Sequence, residues 1–304
     1  MWKLFGNKKP KDCKQRDYRS VRLSKRGRII YFSLIAIGVF FITAAGQSLL
    51  TIGKEYATAR EEYERLSELF GATITEVVRE TQPFAHQTEH EPTFSDTTKL
   101  LPQVKDLPDI FSEMLALNPD FIGWISIDDL IDYPVVQGED NTYYMQRTFA
   151  GELNPAGAIF MDSRLADGFA SPVFILYGHN AKDGTMFAPL QKYQDLAFLE
   201  NSPNIYIMTL EYEVLVYRAF AAKLTDAWDE IYDLEYQSAN EAVAGLFNSP
   251  PEAVAELSAA HSDVVAELSN TPSEINQLLV LSTCTNSPDK YERLLVYAAL
   301  ISAS

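Results

Sequence analysis

Only two cysteines occur among the 304 residues, too few for the disulfide framework that staples small exported domains. Histidine is nearly as scarce. Of the four present, His86 and His90 lie four apart in a stretch with no helical pattern and no neighbouring ligand residues, which argues against a metal centre there. Asp183, in "KDG", lacks the repeated carboxylates of a calcium loop. No metal and no cofactor are expected. Basic residues are rare beyond the N-terminus. Residues 1–28 hold eleven Lys and Arg against Asp12 and Asp17, and the other 276 residues carry 14 basic against 40 acidic side chains, a balance of −26. An acidic body of this kind offers no footprint for neutralising phosphates, so nucleic acid is excluded as a partner.

Charge is lacking altogether from "IIYFSLIAIGVFFITAAGQSLL", residues 29–50. Twenty-two helical residues reach roughly 33 Å, enough to cross a hydrocarbon core of about 30 Å. A cleaved signal peptide is the rival, since "TAAG" supplies small residues, but the apolar run exceeds the usual signal core of about 7 to 15 residues. A single transmembrane anchor is therefore expected, with the basic tail 1–28 cytoplasmic and residues 51–304 outside, in a cell membrane. In that topology Cys13 and Cys284 lie on opposite sides of the membrane and cannot pair. Cys284 is then an unpaired exported thiol.

What remains is an ordinary globular composition, 47% hydrophobic and 22% charged. Residues 51–106 read as a stalk or packing helix, with Tyr56, Tyr63, Leu66 and Phe70 at helical spacing, followed by a linker rich in Thr, Pro, His and Glu. From residue 107 a folded domain is expected. A short helix, "LPDIFSEMLALNPD", opens it. Eight strand-like runs follow: "FIGWISI", "IDYPVVQ", "GAIFMDS", "SPVFILYG", "NIYIMTL", "YEVLVYRAFAAKL", "NQLLVLSTC" and "ERLLVYAALIS". Short strands separated by turn clusters predict a mainly β fold, an eight-stranded closed barrel. Residues 227–270, with the echo "AVAELS…VVAELS", read as a helical insertion before the last two strands.

Cys284 ends one apolar strand, and Arg293 begins the next after the turn-rich "TNSPDKYE". A hairpin brings these two strand ends together. An arginine there favours the thiolate and can hold a developing oxyanion. His179, in "ILYGHNAKDGTMF", ends another strand and is the candidate proton partner, because a free thiol with a pKa of about 8.5 needs a base or a nearby cation. The domain's other histidine, His261, falls in the insertion. Each of the three has an ordinary structural alternative: a small buried hydrophobe, a surface cation, a satisfied imidazole.

The segments "VLSTC" followed by "RLLVYAAL", together with "ILYGHNAKDGTMFAPL", resemble the sortases, cysteine transpeptidases of Gram-positive cell surfaces. Their signature is a TLxTC-type strand with a downstream Arg and an upstream His; here Val280 replaces the opening Thr. "NPDFIGWISI", "IDYPVVQGEDNTYYMQRTF", "GAIFMDSR" and "YGHNAKDGTMF" resemble the class B branch in the same order, so that the likeness covers residues 107–304. The resemblance implies a sortase-like eight-stranded barrel and a two-step acyl transfer by Cys284, Arg293 and His179. It further implies a peptide groove lined by Asn141, Met145, Tyr177, Ile231, Tyr232, Ser282 and Thr283. Its implied partners are secreted proteins bearing a C-terminal sorting motif, and an amine acceptor on peptidoglycan precursor or pilin. A cysteine peptidase that hydrolyses the thioester, and a non-catalytic surface scaffold, stand as alternatives.

Overall fold

The computed structural model describes residues 24–81, 107–211, 213–246, 264–267 and 275–303. Cys13, His86, His90, His261 and most of the predicted linker lie outside them. The chain divides into two compact units, 1–51 and 52–304. Helix α1, Lys25–Thr81, contains the apolar run, and by length and composition it could cross a membrane. Among the described residues of the second unit, α1 is a packing helix. Tyr63, Leu66 and Phe70 are buried, with Phe70 stacked on Trp124 at 4.1 Å.

Helix α2, Leu107–Leu117, leads into β1, Phe121–Ile127, β2, Ile131–Val136, β3, Ile159–Met161, β4, Val173–Tyr177, β5, Ile205–Thr209, and β6, Val214–Thr225. A short helix α3, Leu196–Glu200, precedes β5. Helix α4, Ala239–Leu246, follows β6, then β7, Val264–Glu267, β8, Leu278–Cys284, and β9, Arg293–Ala303. Strands β5-β1-β2-β3-β4-β8-β9-β6 pair in that order, and β6 pairs back onto β5, so eight strands close a barrel. These are the eight runs that the turn clusters delimit in the sequence.

Strand β7 is a ninth, outside the ring, and it revises part of the expected helical insertion. Only the first third of β6, from Val214 to Tyr217, pairs with β5. Beyond it Ala221, Ala222 and Lys223 would present an open edge, and β7, with two β-branched valines, pairs there. The insertion is helical at α4 and extended at β7.

Alternation along β4, β8 and β9 builds two cores. Phe174, Leu176, Leu279, Leu281, Leu294 and Val296 point into the barrel. Val173, Ile175, Val280, Leu295 and Tyr297 point outward, where Ile231, Ala239 and Ala242 of the insertion cover them.

Candidate active site

The outward face is the one that carries the chemistry. Cys284 and Arg293 are direct partners in the antiparallel β8/β9 ladder, and both continue the outward series, Val280–Ser282–Cys284 and Tyr297–Leu295–Arg293. Strand β4 runs parallel to β8 with Tyr177 opposite Ser282, and the Gly178 amide donates to the Ser282 carbonyl at 3.2 Å. Two further residues along the same register set His179 level with Cys284. Three neighbouring strand ends thus bring the three candidate residues to one rim.

They line a common cavity of about 290 Å³ with Asn141, Met145, Tyr177, Tyr232, Ser282 and Thr283. Ile231 is not part of its lining: it is 3% exposed and packs in the outer core. The backbone explains this. Asp229 anchors the turn by accepting from Lys223 Nζ at 2.7 Å and from the Ile231 amide at 3.0 Å, which turns Ile231 inward and leaves its neighbour Tyr232 beside the cavity. Phe160, Gly178 and Ala227 also line it. Sequence reasoning missed them, although Phe160 and Gly178 lie within the segments "GAIFMDSR" and "YGHNAKDGTMF".

His179 Nε2 donates to the Met145 carbonyl at 2.5 Å. A carbonyl only accepts, so this nitrogen carries the proton and Nδ1 is left for exchange. Gly157 makes the contact feasible. At φ +65, a Cβ there would lie 2.9 Å from His179 Cδ2 and 2.9 Å from the Tyr144 carbonyl oxygen. Gly178 has a similar role, since a Cβ would meet Ile159 at 2.5 Å. The loop after His179 is closed by the Phe187 amide donating to the His179 carbonyl at 2.9 Å. Asp183 Oδ1 accepts from Thr185 Oγ1 at 2.6 Å, so it is a turn residue.

Arg293 Nη1 donates to the Lys290 and Glu292 carbonyls, each at 3.0 Å. Among the described residues no carboxylate pairs with this guanidinium, and its remaining N–H groups can meet an oxygen. Thr283 Oγ1 is buried without a partner among the described residues.

An ion pair between buried Asp162 and half-exposed Arg164 supports the cavity residues Tyr177 and Tyr232. Asp162, fully buried, accepts from Arg164 Nε at 2.9 Å, from Arg164 Nη2 at 2.8 Å and from Tyr177 Oη at 2.8 Å. Burial opposes its charge, but these donors and Asn141 outweigh that and bring the carboxyl down to about 2. Arg164 also donates to the Tyr232 carbonyl at 2.6 Å. Burial raises the Tyr232 phenol to about 12, against the Ser282 hydrogen bond and the Arg293 charge. It is neutral and shares a 2.8 Å hydrogen bond with Ser282 Oγ.

Residues 125–301 match the family described as Sortase domain. Sortase B of Listeria monocytogenes is 39% identical over 118 residues, 38% of this chain and 48% of that protein, so the match spans about half of that relative's length. Sortase B of Staphylococcus aureus is 26% identical over 223 residues, 71% of this chain and 79% of that protein. Among solved structures, sortase B from B. anthracis in complex with AAEK1 superposes with a TM-score of 0.57 at 27% identity, covering 83% of this chain and all of that one.

Proposed function

Because this chain belongs to the sortase family, with relatives in its class B branch, we propose that it is a surface transpeptidase acting through a thioester on Cys284. The observation that carries the reading is the convergence of Cys284, Arg293 and His179, from three adjacent strand ends, on one cavity. The Cys284 thiolate attacks the carbonyl carbon at the cleavage point of a C-terminal sorting motif in a secreted protein. The unpaired donors of Arg293 meet the oxygen as it becomes negative. Protonated His179 gives its Nδ1 proton to the leaving amine, the C–N bond breaks, and the acyl group is held as a thioester. A primary amine of peptidoglycan precursor or of a pilin then attacks. Its proton goes to the neutral imidazole, the C–S bond breaks, and the thiolate returns.

Supporting features surround the triad. Met145 lines the cavity and is 42% exposed. The apolar half of α1 serves as a membrane anchor, and the basic tail before it sets the N-terminus in the cytoplasm and the barrel outside. The test is intact mass after mixing the protein with a panel of sorting-type pentapeptides. One peptide leaves its acyl mass on the wild type and none on Cys284→Ala. A Cys284 that alkylates freely yet takes no acyl group from an exhaustive panel would support a binding scaffold instead.

A further inference from the structure

A second cavity, of about 440 Å³, adjoins the first at His179. Glu55, Gln146, Leu153 and Asn154 line it, and it shares two residues with the first cavity, Met145 and His179. Those two are joined by the Nε2 to carbonyl hydrogen bond. The imidazole and Met145 are therefore the shared border of two cavities, one lined by Cys284 and Arg293 and the other by Glu55.

The two compartments differ in charge. The first holds the cationic Arg293, which repels an ammonium. The second holds a carboxylate, and among the described residues no cation pairs with Glu55. Its position is fixed by the backbone. Asn154, only 7% exposed, donates through Nδ2 to the Glu55 carbonyl at 2.7 Å and accepts the Ala156 amide at 2.9 Å. The Asn154 amide donates to the Gln146 carbonyl at 2.9 Å. Helix α1 is tied to the same loop a few residues on, where Tyr63 Oη donates to the Gly157 carbonyl at 2.7 Å. The helix backbone at Glu55 is thus tied to the loop that lines this cavity.

We propose that this second cavity receives the acceptor, with Glu55 binding the primary ammonium group of the incoming chain and delivering it to His179. The proposal rests on the transpeptidase reading and adds the site of its second substrate. The ammonium sheds one proton to water, and the amine passes the imidazole edge to the thioester carbon. As the C–N bond forms, the second proton moves to neutral His179, the C–S bond breaks, and Cys284 leaves as thiolate. The two substrates then occupy adjoining cavities that share the histidine serving both, and neither needs to vacate the other's groove.

The experiment uses the full chain in detergent, a donor pentapeptide that acylates Cys284, and triglycine amide as the acceptor probe. Glu55→Gln is expected to raise the KM for triglycine amide about tenfold and Glu55→Lys more, as loss of a charge-assisted contact would. The donor KM and the single-turnover rate of Cys284 acylation should move less than twofold in both. An unchanged acceptor KM in both variants overturns the proposal. So does an equal loss in acylation and transfer, which would mark Glu55 as merely structural. A wild-type protein that never forms the acyl-enzyme overturns the transpeptidase reading itself, and the acceptor site with it.

Discussion

Asp162 joins two walls of the cavity through one buried carboxylate. It orients Tyr177 directly and Tyr232 through Arg164, so its loss is felt by the groove before the nucleophile. Asp162→Asn is expected to raise the donor KM several-fold while Cys284 alkylates at its usual rate. Steady-state kinetics beside an iodoacetamide time course would check this. The carboxyl lies lower when folded, about 2, than the roughly 3.9 of an unfolded chain. Its contribution to stability is therefore complete above about pH 4 and lost as pH falls towards 2. Urea midpoints of the wild type should drop across that window, and those of Asp162→Asn should drop less. A parallel decline in both would contradict this role. Cys284, Arg293 and His179 were visible in sequence because each ends an apolar run beside a turn signal. Ile231 misled because its neighbour Tyr232 is the one beside the cavity, and only the Asp229-anchored turn decides which of the two faces inward.

Elements place these residues, and their tolerances are small. Gly157 precedes β3 and abuts the His179 ring. A Cβ there combines left-handed backbone strain with contacts under 3 Å to the imidazole and the Tyr144 carbonyl, so the ring must shift. Gly157→Ala is expected to lower kcat at least about tenfold, given how steeply rate falls with misplacement, and to cost about 1 kcal/mol of stability. Transfer kinetics and thermal melts measure the two effects separately; a full kcat would refute the positioning role. The strands themselves are legible, since short apolar runs bounded by turn clusters coincide with all eight barrel strands. Strand β7 is not, because "VVAE" sits in Ala/Glu-rich, helix-forming text, and only the part of β6 that β5 leaves open draws it into a sheet. Helix α1 could be read as stalk or packing helix from its spacing; burial of Tyr63, Leu66 and Phe70 decides for packing.

For the whole molecule, the proposed orientation, with the barrel outside, rests on charge asymmetry and one apolar run. Cys13 and Cys284 report on this without any substitution. In intact cells a membrane-impermeant maleimide should label Cys284, and Cys13 should label only after permeabilisation. Labelling of Cys13 first would reverse the orientation. On the proposed reading, an exported thiol is left unpaired because it must stay free to become a thioester. The second cavity had no counterpart in the sequence, because Glu55 and His179 are 124 positions apart and meet only where α1 docks on the barrel.

The decisive measurement is the fate of isolated acyl-enzyme. The full chain is loaded with donor peptide, freed of excess, and split between buffer and buffer with a primary amine, with products followed by mass. Transpeptidation predicts that the amine shortens the life of the thioester and that the acyl group appears chiefly as its amide. Release of the free acid at the same rate in both would contradict it and leave a cysteine peptidase.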